Sequence, residues 1–207
     1  HLNTLFVSST IISNKPKYAN NTSLKKKAKI FTNTVRNPQL LEAASIHVDK
    51  FPMENIMKIV DMVQRADGQW AMSKLSSDYL DEYLDHASWV YFLTIDGYIV
   101  KIGETGVQLI DPLRSTTSEA RLNKYFGYND DRSERYIRTM LLDIMDAGQH
   151  QVSFYAVPIP ICTVKLKIGK SDTIQSKANK DAELLAIDTF KDSTKNGELP
   201  LLNRTRK

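Results

Sequence analysis

The stretch Trp89 to Gly106, WVYFLTIDGYIVKIGETG, decides how the rest of the chain is read. Two arms rich in valine, isoleucine, tyrosine and phenylalanine flank Asp96-Gly97. Asp-Gly between such arms is a strong short-range signal for a β-hairpin. The second arm does not close on core residues. It runs into Lys101-Ile102-Gly103-Glu104-Thr105-Gly106, where charge, a hydroxyl and glycine gather.

Downstream of the hairpin, Thr117 or Ser118 can cap a short helix reaching Phe126. Arg121 and Tyr125 are then one turn apart and share a face. A longer helix is expected over about 131–147, with Ile137, Met140, Leu141, Ile144 and Met145 as its core stripe and Gly148 at its end. Val152–Val157 reads as a strand ended by Pro158 and Pro160. The stretch to Gly169 reads as an extended piece or surface ribbon with Lys165, Lys167 and Lys170 on a basic face. Residues 171–179 read as loop, and a last helix is expected over about 180–192.

Upstream, residues 1–37 are rich in Asn, Ser, Thr and Lys and read as a loosely packed basic arm. Residues 38–87 read as a helical subdomain that could contact nucleic acid. Its helices are expected at 39–48, 53–66 and 78–86, the second resting on Ile56, Ile59, Val60 and Val63 at helical spacing. Residues 88–207 form the remaining unit. The fold class is α+β: a small three-stranded antiparallel sheet flanked by helices, preceded by the helical subdomain and the arm.

Composition bounds the function classes. The 207 residues can bury a real core, and the single cysteine, Cys162, excludes an internal disulfide. No apolar run is long enough for a transmembrane helix, so no membrane partner is expected, and the expected location is intracellular and cytoplasmic. The chain begins at His1, so no targeting signal is read into Leu2–Ile12. Net charge is +4. Its distribution is more telling: no acidic residue precedes Glu42, while Lys15, Lys17, Lys25, Lys26, Lys27, Lys29 and Arg36 do. Such asymmetry suits a polyanion.

The common catalytic sets are missing. The four histidines have no metal-ligand spacing, and there is no P-loop, no GxGxxG and no nucleophile elbow. What remains is charge where a core would avoid it. Lys101 interrupts an apolar arm, and Glu183 borders the stripe of Ile187 and Phe190 on the last helix. A buried carboxylate is costly unless paired or cation-bound. Each has a plain reading as well: a solvated strand position, a salt-bridged helix edge, and for Arg121 a surface arginine.

Taken together, these residues resemble the GIY-YIG nuclease superfamily. Trp89-Val90-Tyr91 stands where Gly-Ile-Tyr would be, and Lys101-Ile102-Gly103 where Tyr-Ile-Gly would be. Arg121 with Tyr125 is similar to that family's helix arginine and following tyrosine, Glu183 to its metal-binding glutamate, and Asn203 to an asparagine near the domain's end. Lysine in the second triplet resembles the restriction-endonuclease branch. The resemblance covers about residues 88–205 and leaves 1–87 unexplained.

The resemblance implies phosphodiester hydrolysis. Tyrosine is a poor base unless its phenolate is stabilised, which Lys101 beside Tyr91 would do. Tyr91 would be the general base, Arg121 would grip the scissile phosphate, and Glu183 would bind Mg²⁺ or Mn²⁺. Tyr125 would bond the phosphate or the water, with Gly103, Glu104 and Asn203 in supporting roles. Lys25, Lys26, Lys27, Lys29, Lys165, Lys167 and Lys170 would meet DNA phosphates. The implied partner is double-stranded DNA, read by a homodimer if the site is symmetric. Type II restriction is favoured. Alternatives are a homing or repair-type endonuclease, a non-cleaving DNA-binding module, and a helical interaction protein.

This chemistry constrains the turn. A tight two-residue Asp96-Gly97 turn with a regular ladder would put Lys101 and Tyr91 on opposite faces. A three-residue loop with Gly97 in a G1 bulge pairs Tyr91 with Lys101 on one face, and that version is expected.

Overall fold

The structure is a computed structural model that describes residues 22–64, 66, 68, 70–73, 76–78, 88–105, 132–148, 150–164 and 174–203. Its elements in order are α1 (Thr22–Val35), α2 (Pro38–Ala44), a 3₁₀ turn (Val48–Lys50), β1 (Met57–Gln64) and β2 (Trp70–Met72). Then come β3 (Trp89–Ile95), β4 (Tyr98–Thr105), α3 (Arg132–Asp146), β5 (Val152–Pro158), β6 (Ile161–Val164), β7 (Ile174–Lys177) and α4 (Asn179–Ser193).

The class is α+β as expected, but the sheet is larger. Four long antiparallel strands lie in the order β1-β5-β3-β4, and the three-residue β2 extends the β1 edge. The three expected strands are β3, β4 and β5. The addition comes from the helix expected over 53–66, whose centre is β1. The ladder between β1 and β5 shifts between Lys58 and Val60, so an extra residue bulges there. A bulge turns two successive side chains toward one side. Ile59 and Val60 thus enter the same core cluster, with Met62 following at strand spacing. The bulge makes a strand imitate helical spacing. The expected boundary between 38–87 and 88–207 therefore runs through one sheet.

The arm is also corrected in its described part. Residues 22–35 form a helix packed into the core through Ala28, Phe31 and Val35. Those three positions make a narrow apolar stripe within a lysine-rich run that favours helix. Residues 171–179, expected as loop, contain β7, which pairs with β6 in a separate two-stranded ribbon. α2 is shorter than expected and ends at Ala44. The helix expected over 78–86 lies, Asp78 apart, outside the described residues.

β3 is central, and all seven of its residues are buried. A strand covered on both faces has no need of polar alternation. Trp89, Tyr91, Leu93 and Ile95 face a core formed with α1, α2 and α3. Val90 and Phe92 face a second core formed with Val48, Phe51 and the α4 residues Ala186, Ile187 and Phe190. No described helix is long and apolar enough to cross a membrane.

β4 is an edge strand, and an open edge invites foreign pairing. Two chain segments cover it. Ile99 N–H donates to the Ile46 carbonyl at 3.0 Å, and Ser45 Oγ donates to the Ile99 carbonyl at 2.6 Å. Further along, Leu202 N–H donates to the Val100 carbonyl at 2.8 Å.

Candidate active site

The hairpin turn is tight after all. Asp96 (φ 51°) and Gly97 (φ 82°) both adopt left-handed backbone, and Ile95 pairs with Tyr98. This is the two-residue geometry that follows strand twist. The expected three-residue loop is wrong. Its physical reason lies outside the loop. Asp96 tolerates the left-handed region because its carboxylate accepts Gln151 N–H at 2.8 Å and sits 2.7 Å from His150 Nδ1. His47 packs directly over Gly97, where a Cβ would collide with the imidazole.

The extra residue sits one step further in. Thr94 pairs with Ile99, but Leu93 pairs with Lys101, so Val100 is the bulged residue of β4. From there the pairs are Phe92 with Ile102, Tyr91 with Gly103 and Val90 with Glu104. Directly opposed residues share a face. Tyr91, Leu93, Lys101 and Gly103 therefore lie on one face. Tyr91 and Lys101 are diagonal neighbours rather than a direct pair, a relation of about 7–8 Å that long side chains span.

Gly103 has a clear steric task. The Tyr91 ring and hydroxyl lie across it, and a Cβ there would overlap the phenol. Tyr91 is buried, while Lys101 is half-buried. Burial of the ring against the neighbouring strand holds the hydroxyl over Gly103.

Asn203 is brought to the same strand from far along the chain. Its Oδ1 accepts Ile102 N–H at 2.9 Å and its Nδ2 donates to the Ile102 carbonyl at 2.8 Å. It thus fixes the backbone between Lys101 and Gly103. Glu104 points to the other face, where Asn179 Nδ2 donates to its Oε2. Asn179 is buried in the first turn of α4, and Glu183 follows one turn later, half-buried. Glu183 therefore stands on the helix that covers the face opposite Tyr91, joined to β4 through the Asn179–Glu104 contact.

Arg121, Tyr125, Lys165, Lys167 and Lys170 lie outside the described residues. Lys25, Lys26, Lys27 and Lys29 are exposed on α1. From sequence alone Asn179 falls in the expected loop over 171–179, and the two histidines that brace the hairpin tip carry no signal. The only available signal for Asn179 was a polar side chain at a helix start; its partner is 75 positions away.

Among the described residues no three His, Cys, Asp or Glu side chains converge as a metal cluster. Mg²⁺ does not require one, since it keeps several waters and takes one or two carboxylates plus substrate phosphates. The half-buried Glu183 carboxylate fits that demand.

No family model matches the chain, and no curated protein matches it. Among solved structures, a point variant of bacteriophage T4 EndoII is similar at 16% identity and a TM-score of 0.45, over 69% of this chain and 92% of that one.

Proposed function

We propose that the chain is a divalent-metal-dependent DNA endonuclease of the GIY-YIG kind, acting on double-stranded DNA. The observation that carries this reading is the shared face of Tyr91, Lys101 and Gly103, reached through a tight turn followed by a bulge. Burial alone disfavours a phenolate, so the charge of a half-buried lysine on the same strand face is what would stabilise one here.

In this reading Tyr91 accepts the proton of a water that attacks phosphorus in line with the leaving O3′. Lys101 stabilises the phenolate by charge proximity. Arg121 holds two phosphate oxygens with its planar donor fork, and Tyr125 bonds a phosphate oxygen or the water. Glu183 would hold the cation, reaching it around the β4 edge from the helix over the other face. When bound there, Mg²⁺ or Mn²⁺ supplies charge stabilisation at the leaving oxygen. The P–O3′ bond breaks to leave 5′-phosphate and 3′-hydroxyl ends. Asn203 and Gly103 set the backbone and ring positions rather than touching substrate. The lysine of the second triplet favours a type II restriction enzyme, and a symmetric recognition site favours a homodimer.

Plasmid nicking in Mg²⁺ against EDTA, with end mapping, tests the reading. Arg121→Ala and Glu183→Ala should abolish cleavage while retaining DNA binding. Wild-type cutting rates in either variant would overturn the residue assignment. Wild-type protein that binds DNA and never cuts it would leave a non-cleaving module, and fixed cut positions would separate restriction from repair.

A further inference from the structure

We infer that α1 is a prefolded ridge that grips the phosphate backbone of duplex DNA, built on the same side of the sheet as Tyr91. The inference rests on DNA being the partner proposed above, and not on cleavage.

The sequence suggested a loose basic arm. The structure instead gives a helix whose inner side is fixed. Ala28, Phe31 and Val35 sit in the core cluster that also contains Trp89, Tyr91 and Leu93. With those positions inward, the outer arc must carry the charges. Lys25, Lys26, Lys27 and Lys29 are all exposed, as is Arg36 just beyond the helix, where Arg36 N–H still donates to the Thr32 carbonyl at 3.0 Å. Lys25, Lys29 and Arg36 follow one side of the helix. At a rise of about 1.5 Å per residue they span roughly 16 Å. Lys26 stands on the outermost line.

No acidic residue precedes Glu42, which is exposed on α2. Among the described residues no carboxylate is paired with these five side chains. Positive groups spaced along a rigid rod, with no paired carboxylate among the described residues, match a regular polyanion. A helix already docked also avoids the ordering entropy that a disordered arm loses on binding. Because α1 belongs to the layer over the Tyr91 face, a duplex held on the ridge lies on the side of the sheet that carries Tyr91 and Lys101.

The test is fluorescence anisotropy of a labelled mixed-sequence duplex in EDTA over a salt series. The variant is Lys25→Gln, Lys26→Gln, Lys29→Gln and Arg36→Gln combined; the control is Lys180→Gln with Lys195→Gln. All six positions are exposed, so thermal melting should be unchanged. Each lost phosphate contact should reduce the slope of log Kobs against log salt by about 0.9, giving a loss of up to roughly 3 to 4. Affinity should fall at least about tenfold at low salt, and the control should match wild type. A variant with wild-type slope overturns the ridge, and leaves the endonuclease reading intact if wild type cuts plasmid. Wild type that ignores the duplex overturns both. Binding of phosphatidylserine vesicles without duplex binding overturns the ridge in favour of a membrane surface.

Discussion

Asn203 and Ile102 form a closed pair: the side-chain amide takes the backbone N–H at 2.9 Å and returns a bond to the backbone carbonyl at 2.8 Å. The amide stands in for one residue of a neighbouring strand. It satisfies both edge groups of Ile102 at the point between Lys101 and Gly103.

Asn203→Ala leaves a donor and an acceptor of β4 without that partner. The expected loss is about 1–3 kcal/mol. Asn203→Asp keeps the acceptor but sets a second oxygen against the Ile102 carbonyl. It should be about as damaging as alanine at neutral pH and recover as acid protonates the carboxyl. Urea melts at two pH values read both effects. Equal stability of wild type and Asn203→Ala would show the pair to be idle.

Gly103→Ala drives a methyl group into the Tyr91 phenol. Overpacking of this kind typically costs about 1–3 kcal/mol. Combining it with Tyr91→Ala should recover part of that loss, giving a coupling of at least about 0.5 kcal/mol in a double-mutant cycle. Additive effects would mean that the ring and the glycine do not meet. Plasmid nicking by Gly103→Ala should fall with the displaced hydroxyl even where the protein remains folded.

Gly97→Ala meets two obstacles at once. The backbone is left-handed at φ 82°, and a Cβ would strike His47. His47→Ala should relieve the second obstacle and leave the first. The single variant should therefore melt below the double variant by a measurable margin, and both below His47→Ala alone.

Alkaline stability should depend on a lysine–tyrosine pair across β1 and β5. Lys58 is hydrogen-bonded to Asp61, with the ion pair at 2.8 Å, and this raises its pKa above the usual value. Burial raises that of Tyr155, with Lys58 opposing. Both groups bind their protons more tightly in the folded state. Each contribution is fully present below the unfolded-state value near 10 and is lost as pH rises through the folded-state value. Melting temperature should therefore fall above about pH 10, and Tyr155→Phe should flatten that fall. An identical pH profile in the variant would exclude the tyrosine.

Much of the fold was legible from local chemistry. Asp-Gly between β-rich arms marked the hairpin, and helical spacing of Ile137, Met140, Leu141 and Ile144 marked α3 within one or two residues. The apolar stripe beside Glu183 marked α4. These features depend on neighbours in sequence, so sequence suffices. β1 was misread because a bulge is defined only against its partner strand, and β5 lies about ninety residues away. α1 was missed because its stripe of Ala28, Phe31 and Val35 is narrow and gains meaning only from the core it enters.

By itself the sequence determined the hairpin, the candidate residues Tyr91, Lys101, Gly103, Glu183 and Asn203, and the one-sided charge. Only the tertiary structure decided which of them share a face. The Asp96-Gly97 turn taken alone would set Lys101 against Tyr91; Val100 bulging from β4 reverses that. The tight turn is held by His47, His150 and Gln151, from segments on both sides of the hairpin. Register in a hairpin is fixed by the turn and the ladder together, and the ladder here is shaped by cores on both faces.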